Sequence, residues 1–242
     1  MAIVETSRTA DGATRITLNR PDKANALNDA MVGALLEVLA AAQEDDTRLL
    51  VLTAEGRHFC AGFDLSDLDD CSDGDLLWRF VRIETVLQTV YHLPFPTLAF
   101  AKGRAMGAGA DLFAACGQRV AAPGTQFRMP GLAFGILLGM RRLAARIGPD
   151  AARRIQNETR SFDASEGHSL GFATDIVEEV DWPAVVAAAT TAATTLKPEA
   201  TAALFRSTVA DTRAADMADL VASATRPGLK QRIQAYRGVP KG

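Results

Sequence analysis

Residues 103–117 read GRAMGAGADLFAACG. Small residues crowd the front of this stretch, one carboxylate follows at Asp111, and an apolar helical run comes behind it. Small residues let another backbone or a ligand approach closely. A helix starting directly behind them presents free N–H groups, which suit a negative oxygen. Such a turn can cradle a phosphate, hold an oxyanion, or simply turn a corner.

The flanking segments place it at a strand's exit. TLAFA (97–101) precedes it and QRVAA (118–122) follows, both reading as strands. The same plan occurs at 56–65, GRHFCAGFDL, behind RLLVLTA (48–54). That continuous apolar run is expected of a strand covered on both faces. Two such turns could supply two N–H donors to one oxygen. The phosphate patterns fail on detail. No Lys-Ser/Thr follows the last glycine as a P-loop requires, and position 112, where the dinucleotide pattern needs glycine, is Leu112. No G-x-S-x-G nucleophile elbow is present.

Further out, Asp11-Gly12 reads as a hairpin turn between IVETS and ATRITLN, with Ile16 and Leu18 opposite Arg15 and Thr17. Asn28 caps a helix running to about Gln43. A helix over about 75–92 is ended by Pro94 and Pro96. A loop carrying FRMPG precedes helices near 138–147 and 149–158, and a short helix begins at Asp163 and Ser165. ATDIVEEV (173–180) reads as a short strand, and helices follow with a break at Pro227-Gly228. Strands alternate with helices to about residue 180 and then give way to helices alone, an α/β pattern with a helical C-terminal appendage.

Composition narrows the partners. The chain has 242 residues with 48% hydrophobic and 23% charged, which suits a globular domain. A net charge of −3 with no basic run speaks against nucleic acid. Neither a signal peptide nor a spanning segment is expected. Cys60, Cys71 and Cys116 match no zinc or redox spacing, their odd number argues against a disulfide framework, and a reducing cytoplasm is the simplest reading. His58, His92 and His168 have no metal-ligand spacing, and His58 and Cys60 are expected to serve packing or surface roles.

Several stretches in order carry a family resemblance: LNRPDKANAL (18–27), GRHFCAGFDL (56–65), KGRAMGAGADLFAACG (102–117), QFRMPGLAFG (126–135) and DASEGHSLGFATDIVEEV (163–180). Together they resemble the crotonase superfamily, the enoyl-CoA hydratase/isomerase family. PGLKQRIQAYRG (227–238) is similar to that family's C-terminal helix. The resemblance implies an α/β spiral of ββα units over 1–180 that binds acyl-CoA, and a C-terminal helical oligomerisation region over 181–242. It implies trimers or hexamers and a lyase or isomerase of fatty acid metabolism. No metal or redox cofactor is implied, because coenzyme A arrives as part of the thioester substrate. The oxyanion hole would take one N–H from Phe63 and one from Ala108. Lys23, Ala24 and Ala26, with Ala61, Gly62, Asp64, Leu65 and Gly107, would bind the CoA thioester. Pro130 and Gly131 would border the acyl pocket, and Asp111 would be catalytic.

The chain departs from the family pattern at defined places. Ala108 stands where the family's second turn has glycine; it keeps the N–H but resists positive φ. Hydratases of the family place two glutamates around a water. Here the first position is Asp111 and the second is Gly131, with no side chain. The glycine-rich stretch that follows is shortened to LLGMRRL (137–143). Asp111 is similar to the aspartate of the dienoyl-CoA isomerase-like branch, which also uses a carboxylate at the position of Gly131. Asp111 has a structural reading too, as a first-turn carboxylate complementing the helix dipole. Asp64 is expected to cap. Glu84, Arg79 and Arg82 are expected on a solvated or interface face. Arg128, Arg141 and Arg142 could supply a polar group near Gly131, although an arginine stays protonated and is a poor base. Three functions remain open: an acyl-CoA hydratase or isomerase, a catalytically silent acyl-CoA-binding protein, and other thioester chemistry such as decarboxylation or hydrolysis.

Overall fold

The structure is a computed structural model and describes residues 2–238. Val4–Arg8 (β1) and Ala13–Leu18 (β2) form the expected hairpin, with Gly12 at φ 85° in its turn. Asn28 caps Asp29–Glu44 (α1) by accepting a hydrogen bond from the Met31 N–H at 2.9 Å. Leu49–Ala54 (β3) leads to Asp73–Tyr91 (α2), which begins two residues earlier than expected. There Ser72 and Asp75 form a reciprocal capping box. Thr97–Ala101 (β4), Arg104–Met106 (β5) and Ala108–Ala115 (α3) span the opening stretch, followed by Gln118–Ala121 (β6).

Gln126–Arg128 (β7) precedes Met140–Ile147 (α4) and Pro149–Glu158 (α5). Then come Ser161–Asp163 (β8), Ala164–Ser169 (α6) and Asp175–Ile176 (β9). Asp163 caps α6 by accepting from the Glu166 N–H at 2.9 Å. Trp182–Thr195 (α7), Pro198–Thr208 (α8), Arg213–Ala224 (α9) and Leu229–Gly238 (α10) complete the described chain. None of these helices is long and apolar enough to cross a membrane.

Six strands form one sheet in the order β1-β2-β3-β4-β6-β9, parallel except for the first pair. Each parallel step requires a crossover. α1 supplies it between β2 and β3, α2 between β3 and β4, and β5 with α3 between β4 and β6. Both sheet faces are covered, as the apolar runs in β3 and β4 require. Leu50, Leu52, Ala99 and Ala101 join the main core with α1, α2 and α3. Leu49, Val51, Leu98 and Phe100 belong to a second cluster on α7, where Trp182 stacks on Phe100 at 4.6 Å. Thr17, on the face of β2 opposite Ile16 and Leu18, is buried as well and shares a hydrogen bond with Thr53 at 3.0 Å.

The second sheet, β5-β7-β8, departs from the sequence expectation, in which FRMPG and its surroundings form a loop. Its strands are three residues each, and one face buries Ala105, Phe127 and Phe162. β9 keeps only two residues of the expected 173–180. α10 closes back over the loop after β7, where Arg232 donates to the Phe134 carbonyl at 2.7 Å.

Candidate active site

The two small-residue turns touch. Gly62 has φ 84°, and a Cβ there would stand 2.3 Å from the Met106 carbonyl oxygen and 3.2 Å from the Ala108 nitrogen. A Cβ on Gly109 would stand 2.4 Å from the Cys60 carbonyl oxygen. One glycine on each side therefore permits the close approach, and it brings the Phe63 peptide beside the N-terminus of α3. Leu27 and Phe63 form a parallel bridge in which Leu27 donates to Gly62 O at 2.7 Å and accepts from Asp64 N at 3.2 Å. In that pattern the N–H of Phe63 itself points away from Leu27.

Positive φ falls on Gly107, at 51°, and not on Ala108, which is the first residue of α3. The alanine therefore keeps its N–H without strain. Phe63 and Ala108 both border a cavity of about 500 Å³. α2 fixes the first turn: Arg79 lies 4.6 Å over the Phe63 ring and donates to Asp64 O at 3.0 Å and to the Asp67 carboxylate at 2.8 Å. Phe63 also stacks on Phe80, with ring centroids 4.4 Å apart.

Asp111 reaches the same cavity from the first turn of α3. It is 4% exposed, and its buried Oδ1 makes no hydrogen bond. It therefore does not cap the helix through that oxygen. Burial pushes its carboxyl well above the usual carboxylate range; Arg142 opposes the shift and Glu84 adds to it. Gly139, at φ 70°, lies against the carboxyl, and a Cβ there would stand 2.0 Å from Oδ1. The single glycine left in the shortened 137–143 stretch thus makes room for Asp111.

Glu84 and Arg79 are not solvated. Both lie buried on α2, because the apolar face that α2 presents to the core includes their positions. Arg142 meets Glu84 in a two-pronged ion pair at 2.8 and 2.5 Å, with side chains 2% and 1% exposed. Asp216 on α9 lies 3.5 Å from Arg142 and also binds Arg141 at 3.0 Å. Arg82 pairs with the exposed Asp29 at 3.2 Å. Arginines 141 and 142 therefore face these acids and do not line the cavity, whereas Arg128 does. Among the described residues Asp111 is the only carboxyl lining the cavity, and Gly131 contributes backbone alone. No group of three His, Cys, Asp or Glu able to hold a metal forms among them.

The enoyl-CoA hydratase/isomerase family model matches residues 8–229. The chain belongs to this enzyme family. A "probable enoyl-CoA hydratase" of Mycobacterium leprae is 34% identical over 174 residues, 69% of this chain and 68% of that protein. Another so named, from Rhodobacter capsulatus, is 34% identical over 178 residues, 72% of this chain and 68% of that protein. A crystal structure assigned to enoyl-CoA hydratase/isomerase, from Bordetella parapertussis, superposes with a TM-score of 0.98 at 45% identity. It covers 99% of this chain and 100% of that one.

Of the residues that the enoyl-CoA hydratase/isomerase resemblance singled out, Ala61, Phe63 and Leu65 line the cavity from the first turn. Gly107, Ala108 and Asp111 line it from the second, and Pro130 and Gly131 from the far wall. Lys23, Ala24, Ala26, Gly62 and Asp64 do not line it. Ala24 O accepts the Ala61 N–H at 2.9 Å, so the loop lies directly behind the first turn. That loop holds left-handed Ala24 and Asn25, at φ 48° and 55°. The fully buried Asn25 side chain fixes it through Glu55 O, His58 O and Arg20 N, at 2.9, 2.9 and 2.8 Å. Asp64 is bound by Arg20 and by the Ser66 N–H at 2.9 Å; against the opposing effect of burial, these lower its pKa. Cys60 is buried, donates to Asn25 O at 3.1 Å, and has its thiol pushed up to about 12 by burial. It scaffolds the turn.

Proposed function

We propose that the chain acts on acyl-CoA thioesters through an enolate held by the N–H groups of Phe63 and Ala108, with Asp111 moving the proton. The observation that carries this reading is the junction of the two turns beside one buried carboxyl. Two peptides from different turns border the cavity where Asp111 has an oxygen free of hydrogen bonds. Polarising a thioester carbonyl acidifies its α-proton, and the charge that develops sits on the held oxygen. A donor of this kind is worth about 2.7–4 kcal/mol in the transition state. Ionised Asp111 takes the α-proton, and the acid so formed returns it at another carbon. One group runs both steps, which makes double-bond migration the simplest reaction for this site. Hydration needs a further group to take the proton of water, and Gly131 supplies none.

Because Asp111 starts as a base, kcat/KM rises with pH through its elevated pKa, so the ascending limb lies above the usual carboxylate range. A panel of CoA thioesters assayed with wild type and Asp111→Asn tests the proposal. Turnover that falls in the variant while thioester binding persists supports it, and turnover untouched by the substitution removes Asp111 from the mechanism. The bare wall at Gly131 favours a second reading, a silent acyl-CoA-binding protein, which predicts binding with no turnover of any thioester. Decarboxylation or hydrolysis would show as turnover of a thioester that carries no mobile double bond.

The remaining features follow the same reading. Lys23, Ala24, Ala26, Gly62 and Asp64 would shape the CoA-binding rim beside the cavity. Residues 1–180 would form the catalytic core and 181–242 the assembly region. Exposed apolar side chains at Trp78, Val180 and Leu204 support packing into a trimer or a dimer of trimers. Bacterial relatives and three free thiols support a cytoplasmic setting in fatty acid metabolism.

A further inference from the structure

The β5-β7-β8 sheet has one apolar face and one polar face. Alternation sends Ala105, Phe127 and Phe162 into the core. The opposite face presents Arg104, Gln126 and Asp163 as one cross-strand row, and Met106, Arg128 and Ser161 as the next. Arg104, Gln126, Met106, Arg128 and Ser161 line the same cavity as Phe63, Ala108 and Asp111, whereas the Asp163 carboxylate is turned to cap α6. Among the described residues neither Arg104 nor Arg128 takes part in a salt bridge, unlike Arg79, Arg142 and Arg160. Arg104 is exposed at the open rim, while Arg128 is half-buried. The Arg128 Nε donates to the Thr159 carbonyl at 2.8 Å, which fixes the plane of its guanidinium.

Apart from that bond the Arg128 guanidinium makes no hydrogen bond among the described residues, so its two Nη groups are available to an anionic group in the cavity it lines. Its fixed fork matches a carboxylate with two parallel hydrogen bonds. The spacing suits a short acyl chain. Arg128 lies opposite Met106, and its carbonyl accepts the Gly107 N–H at 2.7 Å, one residue before Ala108. Gly131 leaves the nearby wall without a side chain.

We propose that the acyl group bound here ends in a carboxylate, held by Arg128 with Arg104 and Gln126 at the rim. The substrate class is then the CoA thioester of a short dicarboxylic acid. The assignment rests on the thioester reading above and adds specificity to it. A monocarboxylic acyl chain would leave Arg128 without a counter-ion, so the site discriminates against it.

Binding of saturated thioesters tests this without any chemistry. Glutaryl-CoA and valeryl-CoA share a chain length and differ in the terminal carboxylate, and both can be titrated calorimetrically into the full chain. Wild type should prefer glutaryl-CoA by about tenfold or more. The preference should shrink as ionic strength rises, a readout that needs no variant. Arg128→Met should bring the ratio close to one, and Arg128→Lys should retain part of it. Arg104→Gln, altered at the exposed rim, should lower the ratio by a smaller factor. Equal affinities in wild type, or a preference that survives Arg128→Met, overturn the assignment and leave the thioester reading standing. Failure of both thioesters to bind overturns the two together.

Discussion

Replacing Glu84 by glutamine removes the carboxylate that holds Arg142 in the wall behind Asp111. Both prongs of the pair, at 2.8 and 2.5 Å, are out of water, and Gln88 donates to Glu84 Oε1 at 2.8 Å. The glutamine amide turns one prong into two donors facing each other and leaves the guanidinium charge without its main partner. Breaking a buried pair from one side costs about 3–5 kcal/mol. Asp216, 3.5 Å from Arg142, offers partial replacement and sets the expectation at the lower end, about 3 kcal/mol. At about 2.1 cal/mol/K per residue, 242 residues give an unfolding entropy near 0.5 kcal/mol/K. The melting temperature should therefore fall by about 6 °C. Thermal unfolding followed by circular dichroism reads this. Glu84→Leu combined with Arg142→Met should recover most of the stability, because the pair is replaced by apolar side chains and Asp216 keeps its ion pair with Arg141. The same change has an electrostatic readout. Glu84 helps raise Asp111 and Arg142 lowers it, so Glu84→Gln should move the ascending limb of kcat/KM to lower pH. A melting temperature changed by less than about 1 °C, together with an unmoved pH profile, would refute the reasoning.

Two further outcomes follow. Ala108→Pro removes one N–H at the first position of α3, where proline is well tolerated in helices. It should keep the fold by circular dichroism and lower kcat about 10²–10³-fold, the size of one missing oxyanion donor; unchanged kcat would exclude the Ala108 N–H. Asp111→Asn should raise the melting temperature at neutral pH. The folded-state pKa of Asp111 is raised, so its contribution to stability falls as pH rises above the unfolded value towards the folded one. The gain over wild type should shrink as pH drops towards the ordinary carboxylate range, and an advantage that does not vary with pH would contradict the assignment.

Much of this architecture is legible in the sequence. β3 and β4 announce themselves as continuous apolar runs, and Asn28 and Asp163 announce two helix starts. The junction of the turns is legible as a plan, because GRHFCAGFDL and GRAMGAGADL repeat it. The strands β5, β7 and β8 are not. Each is three residues long with a single buried centre, too short for alternation to separate it from a loop. The burial of Glu84 and Arg142 is hidden for another reason. Charge alone predicts exposure, and what reverses it is a partner 58 positions away. A signal does exist in the spacing of Glu84 between Phe80 and Leu87, on the buried stripe of α2. The strain-free conformation of Ala108 depends on positive φ falling on Gly107, which the residue types alone do not decide.

The central claim is that the Phe63 and Ala108 N–H groups polarise a thioester carbonyl. Infrared difference spectroscopy of butyryl-CoA carrying a ¹³C-labelled carbonyl tests it most directly, in free and bound states. A carbonyl stretch displaced to lower frequency on binding, with the displacement reduced in Ala108→Pro, is the predicted result. A bound thioester whose carbonyl absorbs where the free one does would contradict it.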